Sequence, residues 1–134
     1  MGDMVGLDTN VLLRWVLQLD VDREQSARVH QFLAETTEDI LLATPVLVEA
    51  VWTMRGRYRV ERSVVVSMLR QMQAMPQVRF SDPESVHAAT EAFAIHGGDF
   101  ADHLIGALNR TAACTTTLTF DKKAARLETF TELT

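Results

Sequence analysis

Short apolar runs alternate along this chain with stretches of helical period. The run at residues 4–7 enters Asp8-Thr9-Asn10 and then Val11-Leu12-Leu13-Arg14-Trp15-Val16-Leu17, which predicts a buried strand running into a helix, with Asp8 at the strand's carboxyl end. Residues 22–34 carry Ala27, Val29, Phe32 and Leu33 at amphipathic spacing and predict a second helix, and residues 40–43 a second buried strand. Thr44-Pro45 reads as an N-cap followed by proline at the first helical position, opening a helix to about residue 54. The Arg-rich stretch that follows reads as a turn. Residues 62–75 predict a helix with Val65, Met68, Leu69 and Met72 on its apolar side, stopped by Pro76. Residues 78–80 predict a third strand; Ser81-Asp82-Pro83-Glu84 caps a helix to about residue 95; Gly97-Gly98 breaks it; and 100–113 predict another. A β-branched strand at 116–120, a helical turn at 122–127 and a last strand at 130–133 complete the series.

Strands alternating with helices predict an α/β domain with a mainly parallel sheet, without internal repeat or linker. Such sheets bind ligands beyond the carboxyl ends of their strands, near the point where strand order reverses. Asp8 and Asp121, each closing a predicted strand, would both fall there.

Composition bounds the chemistry. The 134 residues, 47% hydrophobic and 23% charged, suit one domain with a real core. The longest apolar stretches fall far short of the roughly 20 residues a membrane helix requires. No positively charged lead followed by an apolar segment opens the chain, so the expected address is the cytoplasm. The single cysteine, Cys114, excludes an internal disulfide and a cysteine-based zinc site, as in a reducing compartment. A net charge of -5 argues against coating duplex DNA by bulk electrostatics. Locally the balance reverses: Arg55, Arg57, Arg59, Arg62 and Arg70 face one acid, Glu61, and Lys122, Lys123 and Arg126 follow Asp121. Each cluster reads either as a phosphate-facing rim or as a solvated helix face.

Four acids stand among apolar neighbours: Asp8, Glu49, Asp102 and Asp121. Each has a structural explanation of its own. Asp8 would cap the helix beginning near Val11; Asp99 and Asp102 have capping-box spacing; and Asp121 would start a turn with Lys122. Glu49, flanked by Val48, Ala50, Val51 and Trp52, is expected to need a buried partner. Brought together, the four would repel one another without a cation, and hard oxygen donors suit Mg2+ or Mn2+. Other mechanisms lack their parts. No Gly-rich phosphate loop follows the first strand, and no nucleophile elbow supports a Ser-His-Asp arrangement. His103, roughly 100 degrees around the helix from Asp102, is expected at the surface or rim. His30, His87 and His96 lack ligand spacing.

Leu7-Asp8-Thr9-Asn10-Val11-Leu12-Leu13-Arg14, the run from Asp99-Phe100-Ala101-Asp102-His103 to Leu108, and Thr117-Leu118-Thr119-Phe120-Asp121 with its basic continuation resemble the PIN domain, and within it the VapC toxins of type II toxin-antitoxin systems. The resemblance implies a single PIN domain over 1–134: a three-layer α/β/α sandwich around a mainly parallel five-stranded sheet. It implies a Mg2+- or Mn2+-dependent endoribonuclease that acts on RNA, forms a homodimer and is neutralised by a VapB-type antitoxin. The family's four acidic positions fall on Asp8, Glu49, Asp102 and Asp121, with Asp99 accessory and Asn10 and Thr119 as polar supports.

On that reading Asp8 and Asp102 bind the metal directly, since Mg2+ takes few protein ligands and keeps several waters. Glu49 and Asp121 bind through water, complete a second metal site or orient the attacking water. Arg14, the 55–62 arginines, Lys122 and Lys123 would steer phosphates. Trp15, Trp52 and Tyr58 are the aromatics nearest the site, with both tryptophans read as core. The helix at 64–75 offers an apolar partner surface. Two rival readings are a PIN-like binding module that does not cut, and a phosphatase on small substrates, which expects a second Asp where this chain has Asn10.

Overall fold

Strands and helices alternate throughout the computed structural model, which describes residues 3–17 and 22–134. Strand β1 (Met4–Gly6) leads into α1 (Thr9–Val16), then α2 (Arg23–Glu35), β2 (Asp39–Leu42), α3 (Thr44–Gly56), α4 (Arg62–Ala74), β3 (Val78–Phe80), α5 (Pro83–His96), α6 (Phe100–Thr111), β4 (Thr117–Thr119), a 3-10 turn (Ala124–Arg126) and β5 (Phe130–Glu132). Every predicted element is present, with bounds shifted by a residue or two, and the α/β/α class holds.

The sheet departs from expectation in its continuity. Strands β1, β2 and β3 form one parallel ladder, with Val5 opposite Ile40 and Leu41 opposite Arg79. Strands β4 and β5 form a second parallel ladder, with Leu118 opposite Thr131. The five expected strands are all parallel but hydrogen-bond as three and two. Parallel neighbours need helical crossovers, and α2, α4 and the 3-10 turn occupy those connections.

Helix starts follow the capping chemistry. Asp22 accepts from Gln25 N at 3.0 Å, and Asp82 accepts from Ser85 N at 3.0 Å ahead of Pro83. At α3 the cap is Ala43, with no side-chain hydrogen bond, and Thr44 is already helical. Pro45 in the first turn lacks an N–H that would have had no helical partner there, so the turn forms without a side-chain cap.

The core lies between the β1–β2–β3 ladder and helices α3 to α6. Leu12, Leu42, Val65, Leu69, Val86 and Leu104 are completely buried. On α4 the buried set Val65, Val66, Leu69 and Met72 is a single helical stripe. Phe93 of α5 meets Phe100 of α6 edge-on, with centroids 5.7 Å apart. Each such side chain contributes about 1.5–3 kcal/mol of burial. Buried Thr90 donates to Val86 O at 2.7 Å and accepts from Gln73 Nε2 at 3.0 Å, so no polar group is stranded where α4 meets α5. Helix α2 is the exception: it has no buried residue, and Phe32 is exposed.

Candidate functional site

The turn between α5 and α6 builds the first part of the site. Gly97 and Gly98 take φ of +67° and +74°, a left-handed pair that glycine adopts without a Cβ penalty. The reversal delivers Asp99 to the start of α6, where its Oδ1 accepts from Ala101 N at 2.9 Å. Asp102 follows in the first turn, half-buried, where the helix dipole favours a negative charge. Even so, burial pushes its carboxyl above the ordinary carboxylate range. The charges of Asp99 and Asp121 add to that push, and His103 opposes it.

His103 is not at the rim, as expected, but buried at 6% exposure. The rotation that separates it from Asp102 carries it inward, onto the face shared by Phe100 and Leu104. Its Nε2 lies 2.8 Å from Gly97 O; since a carbonyl only accepts, Nε2 carries the proton and donates. His96 stacks on its ring at 6.3 Å. This histidine braces the glycine turn that presents Asp99.

Asp121 lies just beyond β4. Its Oδ1 accepts from Lys123 N at 2.9 Å, and its own N–H donates to Thr119 Oγ1 at 3.0 Å, so Thr119 shapes the turn that displays the carboxylate. Asp99, Asp102 and Asp121 line one cleft of about 530 Å3, together with His96, Lys123 and Arg126.

The remaining acids stand apart from that cleft lining. Asp8 caps α1, its Oδ1 accepting from Val11 N at 3.1 Å, and it is exposed, as is Asn10. Glu49 is also exposed, so the buried partner expected for it is not required. The packing face of α3 is Leu47, Ala50, Val51 and Met54, and position 49 falls off it. Trp52 falls off it too: predicted in the core, it is 70% exposed, while Trp15 is half-buried against the core. Helical period alone distinguished these positions; their apolar neighbours obscured it. Glu49 and Trp52 line a largely apolar groove with Leu104 and Ile105. Arg14 turns back to Asn10 O at 3.2 Å, and Lys122 is exposed.

As donors these groups suit a hard divalent cation: each capping aspartate keeps a second carboxylate oxygen, and a cation would reverse the repulsion that burdens Asp102. In placement the fit is partial. Three of the acids share a cleft, yet among the described residues no three His, Cys, Asp or Glu side chains stand together as a ligand group.

Parallel strands alternating with helices define an α/β domain, and the cleft of Asp99, Asp102 and Asp121 lies beyond the carboxyl end of β4, the edge where such folds place their sites. A family model for the PIN domain matches residues 5–129, and the chain belongs to that family. PIN domains are commonly nuclease modules that use divalent metal ions. No curated protein matches the chain. Among the described residues no helix is long and apolar enough to cross a membrane.

Proposed function

We propose that this chain is the toxin of a VapBC-type toxin-antitoxin pair: a Mg2+- or Mn2+-dependent endoribonuclease, acting in the cytoplasm and held inactive by a VapB-type antitoxin. The observation that carries the reading is the gathering of Asp99, Asp102 and Asp121 around one cleft of a PIN domain. A bound divalent ion supplies a more acidic water and relieves charge on the phosphate. Asp102, with Asp121 and Asp99 beside it, would hold that ion, and Asp8 and Glu49 would complete the acidic set from the other ladder. Thr119 fixes the Asp121 turn, and Asn10, whose backbone carbonyl accepts from Arg14, stands two residues from Asp8. Exposed Lys122 and Lys123, next to Asp121, would meet the phosphates of the RNA. A groove of about 440 Å3 on α1 and α4, lined by Trp15, Val64, Met68, Met72 and Met75, supports assembly as a homodimer.

The test is cleavage of total RNA by the full chain in Mg2+ and in EDTA. Cleavage in Mg2+ should vanish in EDTA and fall by at least about 100-fold in Asp102→Asn with the fold retained. Undiminished activity in either case rejects the reading. Co-expression of a small DNA-binding protein encoded beside the gene should abolish cleavage. One observation favours a binding module that does not cut, namely that among the described residues no three acids form a ligand group. Absence of cleavage with RNA binding intact would select that module.

A further inference from the structure

We propose that Trp52 is the platform on which an unpaired RNA base stacks, with Arg55 and Arg59 neutralising the phosphates beside that base. This rests on the nuclease reading and names how the substrate lies. Trp52 sits one helical turn after Glu49 and one before Arg55, so the three share a face of α3. That face is not the packing face, and an indole left 70% exposed is a large apolar surface with no role in the core.

The surroundings are basic. Residues 55–62 hold four arginines and one acid, Glu61, and none of the four arginines forms an ion pair with an acid among the described residues. Arg55 is held in place by donating to Val60 O at 3.1 Å. Arg59 takes φ of +53°, an uncommon conformation for a side-chain-bearing residue, at the tip of this turn. Arg57 is engaged elsewhere, over the Tyr58 ring at 5.5 Å.

Continuity ties this surface to the acids. Trp52, Arg55, Arg59, Glu61 and Asp99 line a cleft of about 450 Å3. Asp99 also lines the cleft of Asp102 and Asp121, and Trp52 also lines the groove of Glu49. A single strand crossing from one carboxylate group to the other therefore passes the indole. An aromatic face with arginines beside it is the chemistry of single-strand binding, since every base offers a π-face and a duplex hides it.

Trp52 and Trp15 are the two tryptophans of the chain, so Trp15→Phe leaves Trp52 as the sole reporter. A single-stranded RNA oligonucleotide should quench its fluorescence, and the same sequence as a duplex should not. In cleavage assays Trp52→Ala should raise KM on the order of 10- to 100-fold with kcat little changed, and Trp52→Phe should recover most of the loss. Arg55→Gln should reduce the slope of log affinity against log salt by about 0.7. Trp52→Ala with unchanged KM, or a fluorescence change that follows protein concentration without RNA, overturns the proposal; the latter would mark a surface between copies. If the chain cleaves no RNA but Trp52 is quenched, the nuclease reading fails and the stacking platform stands.

Discussion

The two ladders of the sheet carry different parts of the acidic set and are packed differently. The β1–β2–β3 ladder has Asp8 at the end of β1 and Glu49 in the helix after β2, above a core in which Leu42 and Leu47 are completely or almost completely buried. The β4–β5 ladder has Asp121 beyond β4, sharing a cleft with Asp99 and Asp102, yet Leu118 and Phe120 on and beside β4 remain 59% and 79% exposed. Among the described residues β1 and β4 each pair with one strand, so each keeps one edge of backbone groups outside the ladders. The division of the acids follows the division of the sheet. What joins the two sets is helix packing, α3 against α6, rather than a strand pair.

That contrast can be broken first through stability. Leu104→Ala, at a completely buried position of α6, should cost about 2–5 kcal/mol in denaturant unfolding. Leu118→Ala, on the exposed strand, should stay within about 0.5 kcal/mol. Equal losses would mean that β4 packs as tightly as the core.

A smaller effect asks whether one ion spans both ladders. Saturating Mg2+, at about 100 times its dissociation constant, should stabilise the folded chain by about 2.7 kcal/mol, read as a rise in Tm over EDTA. Asp121→Asn and Asp8→Asn should each remove that rise. Loss in Asp121→Asn alone would confine the ion to the β4 side.

The smallest effect isolates Asp102 in EDTA. Its folded carboxyl holds a proton more tightly than the unfolded one, so stability rises as pH falls from neutral through the folded pKa and levels off below the unfolded value. Asp102→Asn should therefore have the higher Tm at neutral pH, with the gap closing on acidification. Parallel Tm curves across this range would show that burial and its acidic neighbours do not burden Asp102.

Much of this was legible in the residues. Capping chemistry located the starts of α5 and α6, because Asp82 and Asp99 each satisfy a backbone N–H only a few residues away. The same locality made the individual roles of Asp8 and Asp121 readable: each bonds its own turn. Asp99 and Asp102 were joined by spacing, but their meeting with Asp121 depends on where the β4–β5 ladder lies against α6.

The misreadings concern direction. Glu49 was judged by its apolar neighbours, Trp52 was read as core, and His103 was judged only by its rotation away from Asp102, whereas the packing of each helix sends Trp52 and Glu49 outward and His103 inward. By itself the sequence determined the alternation of elements, the parallel sense of the strands and the supply of oxygen donors, because these follow from short-range periodicity, capping and composition. The tertiary structure alone decided which acids share a cleft, how five strands divide into two ladders, and that the Trp52 indole faces solvent in a cleft shared with Arg55, Arg59 and Asp99, because these depend on contacts between segments far apart in the chain.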